Sequence, residues 1–282
     1  MNKVILKKPN INGRPPADEK TEKLKKSAKQ SLTTTVLLVL LALAGVTAAT
    51  TAWFSIANYT RVRSMVMDLT SGYSLRFDLD PHEDFEQYRK TLSFGEIRDR
   101  IFDETGTDIE ETPLEPVTTD DGEYYTFEFG DYADPETGVY LEFTLHFMAQ
   151  RDMLVHLTSI AGDDDEDFGT LIASDNPDLA RAMRVSFEKD GEIVVYNPKL
   201  DDERYDAGAF DIIGIPPEED MLYNHNNELF SLRAGVDTPV IVRVWLEGTD
   251  ELCTNDLIGE NYELRLRFEG TDFEHRLFDT RG

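Results

Sequence analysis

The stretch Val139-Tyr140-Leu141-Glu142-Phe143-Thr144-Leu145-His146-Phe147 decides the fold. Its odd-numbered positions are all aliphatic or aromatic, and Tyr140, Glu142, Thr144 and His146 fall between them. A period of two places one set of side chains on a core and the other toward water, the pattern of a half-buried strand. The same alternation recurs outward along the chain. It appears in Tyr73, Leu75, Phe77 and Leu79, in Tyr125, Phe127 and Phe129, and in Val240, Val242, Val244 and Leu246. A last run, Tyr262, Leu264, Leu266 and Phe268, stands opposite Glu263, Arg265, Arg267 and Glu269. Met153 to Ile160, Arg184 to Glu188 and Glu192 to Tyr196 supply shorter strands. Many strands with no regular helix between them predict an all-β, jelly-roll-like antiparallel β-sandwich.

Helix is a minority in this reading. Glu83 to Phe102 carries Phe85, Tyr88, Leu92, Ile97 and Ile101 at spacings that suit one or two short helices broken near Gly95. Asp175 to Met183, capped by Ser174 or Asp175, suits a short helix that leads into the strand at Arg184. Thr105 to Gly122 and Asn197 to Asn227 are polar, rich in turn residues, and read as surface excursions of one domain.

Upstream of the strands the composition changes. No charged residue occurs from Gln30 to Thr60, and Thr33 to Ile56 reads TTTVLLVLLALAGVTAATTAWFSI. About 20 mainly apolar residues suffice for a helix to cross a bilayer. Lys20, Lys23, Lys25, Lys26 and Lys29 precede this window, and Trp53 and Tyr59 close it as an interfacial aromatic belt. Three segments are therefore expected: a basic cytoplasmic tail at 1–30, a transmembrane or signal-anchor helix at 31–57, and an acidic extracellular β-sandwich at 58–282. Val46-Thr47-Ala48 and Thr47-Ala48-Ala49 have the small-residue pattern that signal peptidases prefer, whereas the long basic leader suits a retained anchor. Both fates, cell membrane with the C-terminal domain outside or release to the cell surface, stay open at this point.

Charge separates the same regions. Residues 1–58 hold nine Lys or Arg against three acids, a net charge of +6, while the remainder holds 19 against 53, a net charge of −34. A domain so negative repels nucleic acid and anionic lipid, which excludes a nucleic-acid function. A single cysteine, Cys253, rules out an intramolecular disulfide, so core burial must hold the domain together.

Catalytic patterns are lacking. His82, His146, His156, His225 and His275 stand at no zinc spacing, and His146 and His156 fall on polar phases that read as exposed strand positions. Cys253 has no base beside it, and neither a Gly-x-Ser-x-Gly elbow nor a phosphate-cradling glycine loop occurs. The densest acid run is Gly162 to Gly169, GDDDEDFG, where Asp163, Asp165 and Asp167 offer the hard oxygen ligands that suit calcium. Its spacing fails the EF-hand template, because Phe168 holds the place of the turn glycine and Ser174 that of the last glutamate. A solvated acidic loop is the simpler account.

Arg61 to Leu69, RVRSMVMDL, follows the apolar segment, with Met65, Met67 and Leu69 alternating against Val66 and Asp68. It is expected to pair within its own chain as the first strand, and it has the form of a strand that adds to the sheet edge of a neighbouring copy. Ala48 to Ser55, AATTAWFS, with Arg181 to Phe187, Val195 to Pro198, Val244 to Asp250 and Cys253 to Asp256, resembles TasA/camelysin-like surface proteins of Firmicutes. That resemblance implies a jelly-roll domain exported by a SipW-type route, in relatives that build extracellular matrix fibres. The sequence thus leads to a non-enzymatic surface or matrix protein, with a binding module for calcium or a cell-wall ligand as the alternative.

Overall fold

The computed structural model describes residues 35–39, 60–69, 74–127, 129–159, 169–198, 211–214 and 223–278. By its contacts the chain divides into two compact units, Met1–Ser55 and Ile56–Gly282. In the first unit, residues 35–39 are helical and the side chains of Val36, Leu37, Leu38 and Val39 are exposed. Among the described residues no helix is long and apolar enough to cross a membrane, and the rest of the expected crossing segment at 31–57 lies outside them.

The second unit is mostly β, with two sheets rich in antiparallel pairs and few helices. One sheet has the order β11 (Glu228–Leu232), β6 (Met153–Leu157), β13 (Asn261–Thr271), β1 (Arg61–Leu69) and β3 (Thr91–Leu92), with β7 (Leu171–Ser174) also on β13. The other has the order β10 (Asp211–Ile213), β9 (Glu192–Tyr196), β8 (Met183–Lys189), β12 (Thr238–Glu247), β5 (Leu141–Ala149) and β2 (Leu75–Asp78), with β4 (Pro116–Val117) on β12.

The opening stretch behaves as its period predicts. In β5, Leu141, Phe143, Leu145 and Phe147 are buried, while Glu142, Thr144 and His146 keep some contact with water. β12 runs antiparallel beside it in a register that sets Val244 against Leu141 and Thr238 against Phe147. The inner faces of the two sheets meet through aromatic rings. Phe268 of the first sheet lies 5.7, 5.3 and 6.0 Å from Phe77, Phe147 and Phe187 of the second. Tilted and edge-on contacts of this kind add to the burial energy of each ring.

Three pairings depart from an all-antiparallel sandwich: β1 with β13, β9 with β10, and β4 with β12 are parallel. Parallel neighbours need a long connection between them, and β1 and β13 satisfy this trivially because they stand at opposite ends of the domain. Their register runs from Arg61 beside Asn261 to Leu69 beside Phe268. A bulge between Val62 and Ser64 shifts the alternation, so that Val62, Met65 and Met67 all reach the core.

Helices depart in detail too. Gly95 breaks nothing: helix α1 spans Phe94–Thr105 around it and starts at Ser93, whose N–H donates to Glu96 Oε2 at 3.0 Å. Gly106, at φ +75°, ends it in the left-handed conformation that glycine adopts without strain. Ile97 and Ile101 of α1 join the main core. Helix α2 spans Pro177–Ala182 and is capped by Asn176, whose side chain accepts from the Asp178 N–H at 3.1 Å. The expected cap was one or two residues earlier.

The run Tyr125, Phe127 and Phe129 forms no regular strand. Thr118, Thr126 and Tyr132 make only isolated bridges there, and the segment folds over the outer face of the second sheet. It builds a second, smaller core from Val117, Tyr125, Ala133, Val139 and Tyr140 against Ile193, Val195 and Trp245 of the sheet. Tyr125 stacks on Tyr140 at 4.4 Å and meets Trp245 edge-on at 5.2 Å.

Candidate functional site

Beside this second core the outer face of the sheet opens into a pocket of about 370 Å³, lined by Glu123, Tyr124, Tyr132, Pro135, Tyr140, Glu142, Glu188 and Arg243. Its floor follows from strand phase. Val242 and Val244 face the main core, so Arg243 must face outward, between Glu142 directly across on β5 and the β8 strand on its other side. Arg243 Nε donates to Glu142 Oε2 at 2.5 Å and Nη1 donates to Glu188 Oε2 at 2.6 Å. Burial opposes the guanidinium charge, but the hydrogen bonds to Glu188 and Glu142 outweigh it and hold the pKa above its usual range. Two glutamates of the adjoining strands thus hold the arginine through Nε and Nη1.

The walls are pinned by local hydrogen bonds. Asp121 Oδ1 accepts from the N–H groups of Glu123 at 2.9 Å and Tyr124 at 2.8 Å, and Thr119 Oγ1 accepts from Gly122 N–H at 2.8 Å. The Ala133 N–H donates to Tyr125 O at 2.9 Å, which places Tyr132 opposite. Tyr124 and Tyr132 remain 63% and 59% exposed, whereas Tyr140 is buried beneath them. Burial, then the nearby Glu142, pushes the Tyr140 phenol above its usual range. Two large rings held in water by fixed backbone, at the mouth of a carboxylate-lined hollow, suit recognition better than stability.

The residues singled out in the sequence fall elsewhere. Asp163, Asp165 and Asp167 lie outside the described residues. Among the described residues no group of three or more His, Cys, Asp or Glu side chains is arranged to hold a metal ion. His146 retains partial access, and its Nδ1 lies 3.0 Å from Asp237 Oδ2, a carboxylate that also accepts from the Tyr88 hydroxyl at 2.6 Å. Burial, then the hydrogen bond to Asp237, pushes the Tyr88 phenol up to about 12. Cys253 packs against the core, and burial, with Glu247 and Asp250 nearby, pushes its thiol up to about 12, far from the range of a nucleophilic thiolate.

His156 contradicts its expected exposure. It is fully buried, because the segments around Asn227 and Thr271 cover the outer side of β6. Its Nδ1 lies 2.9 Å from Asn227 Oδ1 and 3.0 Å from Asn227 O, and its Nε2 lies 3.0 Å from Thr271 Oγ1. Tyr223 and His275 face the ring at 4.9 and 5.6 Å. Burial lowers the imidazole pKa and outweighs the two Asn227 hydrogen bonds. An unfolded imidazole titrates at about 6.5. Between that value and the lower folded one, the unfolded chain binds a proton that the fold does not. Stability is therefore complete above pH 6.5 and falls as pH drops below it. Urea unfolding across pH 5 to 8 should show that decline, and His156→Asn should flatten it; an unchanged slope would assign the decline to other groups.

Sequence reasoning missed the pocket for identifiable reasons. Glu142, Glu188 and Arg243 are visible as outer-phase residues, but their adjacency needs the strand order β8-β12-β5. Tyr124 and Tyr132 sit on irregular backbone that no periodicity marks. Comparison of the chain with family models, with curated proteins and with solved structures finds no match.

Proposed function

We propose that this chain is a non-enzymatic structural protein of a bacterial surface or extracellular matrix. In this reading the apolar segment at 31–57 holds it at the membrane or directs its export, and the jelly-roll-like acidic domain stands outside. The resemblance to TasA/camelysin-like proteins supports the same role. So do the opposed charges of the two regions and the uncovered apolar side chains of residues 36–39.

The observation that carries the assembly part is the place of β1. It enters directly from the expected leader and lies against β13 over eight aligned pairs, from Arg61 beside Asn261 to Leu69 beside Phe268. On its other edge only Met67 and Asp68 pair with β3. A strand so placed closes a slot along β13, and the equivalent strand of a second copy fits the same slot with the same register. Cis pairing is the resting form, and strand addition between copies is the assembly form once the leader no longer fixes β1.

Protease added to intact cells tests the location. Cleavage of the domain without lysis is expected, for example within the acidic run at 162–169. Protection until lysis would place the domain inside and remove the surface role.

A further inference from the structure

We propose that the tyrosine-lined pocket on the outer face of the second sheet binds an alkylammonium group, such as a quaternary ammonium or the end of a lysine-like side chain. The proposal does not depend on where the domain resides. Three carboxylates, Glu123, Glu142 and Glu188, line the hollow against one cation, Arg243. Both glutamates beside Arg243 hold it in place, so its charge is spent within the floor, and the pocket as a whole keeps a negative excess. An anionic ligand would meet that excess.

The rings decide what kind of cation fits. A small, strongly hydrated metal ion gains from several oxygens at close range, and the described residues hold no such arrangement. Tyrosine faces instead favour a large, weakly hydrated cation, which is attracted to the ring quadrupole while its methyl or methylene groups cover apolar surface. The exposed Tyr124 and Tyr132 and the buried Tyr140 all line the pocket. The Asp121 turn fixes the backbone of Tyr124, and stacking on Tyr125 fixes the ring of Tyr140, which reduces the ordering needed on binding. The volume, about 370 Å³, is at the small end for ligand sites and accommodates one such head group. The acidity of the whole region beyond residue 58 adds a long-range field of the right sign.

The test uses the full-length chain in a polyoxyethylene detergent, which carries neither a choline head group nor a sugar. Choline and its uncharged isostere 3,3-dimethylbutanol are titrated by ligand-observed NMR, with methyl glucoside as a third probe. Saturable choline binding is expected, with the uncharged isostere weaker by about tenfold or more, the range that cation–π and carboxylate attraction supply together. Tyr132→Ala and Tyr124→Ala should each weaken choline by about three- to tenfold. Glu123→Gln, an exposed change with no packing role, keeps the test informative if a tyrosine variant unfolds, and should weaken choline while leaving the isostere alone. Equal binding of choline and the isostere would overturn the proposal, as would glucoside binding without choline binding. No saturable choline binding through the high millimolar range, or affinity unchanged in all three variants, would overturn it as well.

Discussion

Asp250→Ala is expected to lower the unfolding free energy by about 3–5 kcal/mol, the cost of stripping one partner from a buried ion pair. Arg184 and Asp250 are both completely enclosed, and Arg184 Nη2 donates to Asp250 Oδ2 at 2.6 Å. Local contacts add to it: Nη1 donates to the carbonyls of Arg181 at 2.7 Å and Met183 at 2.9 Å, and Asp250 Oδ1 accepts from the Leu252 N–H at 2.9 Å. The pair therefore ties the end of α2 and the start of β8 to the loop between β12 and β13. Without that carboxylate the enclosed guanidinium loses a charged partner, and the protein must bury the charge less well paired or expel it. Urea denaturation checks this through the midpoint at constant slope. The double change Arg184→Met with Asp250→Leu should recover much of the loss, since well-packed apolar groups often match a buried pair. A loss under about 1 kcal/mol in Asp250→Ala, the level of an exposed pair, would show that the site admits solvent.

The second large effect belongs to Asp68→Ala. Asp68 and Arg267 are register partners on the parallel strands β1 and β13. Arg267 Nε donates to Asp68 Oδ1 at 2.6 Å and Nη2 donates to Oδ2, a two-pronged contact with both side chains mostly buried. Planar pairing of this kind is stronger than a single charged hydrogen bond, and its removal is expected to cost about 3 kcal/mol. The distribution of the loss matters more than its size. Among its strand pairings β1 relies mainly on β13, with two residues on β3, so weakening that pairing should open β1 before the rest. Amide exchange should accelerate in β1 and at the adjoining edge of β13, while β5 and β12 keep their protection. Uniform acceleration across both sheets would mean that β1 is an inseparable part of the cooperative core and not an exchangeable strand.

Strands with one dry and one wet face were legible from the sequence: β5 follows its alternation, and so do the first halves of β12 and β13, whose later residues are buried on both phases. β6 was misread at His156 because both of its faces are covered, and alternation says nothing about a strand buried on two sides. The parallel pairing of β1 was hidden for another reason: period two fixes which face is buried but not which neighbour a strand takes. The second core escaped notice because Tyr125, Tyr140 and Trp245 are brought together by a cover segment of irregular backbone. Arg184 and Asp250 are separated by 66 positions, and no local pattern distinguishes a buried charge from the many exposed ones in so acidic a chain. Legibility was highest for the framework and lowest for what lies on its outer faces.

Cysteines placed at Ser64 and Glu263, aligned neighbours on β1 and β13, give the most direct test of the central claim when Cys253 is changed to Ser. Oxidation of the full-length chain should join the two positions within one molecule. After removal of the leader at about residue 52, the same oxidation at high concentration should join successive molecules into a covalent ladder, with fibres visible by electron microscopy. Disulfides confined to single molecules at every concentration, with no fibres, would contradict strand addition and with it the proposed matrix role.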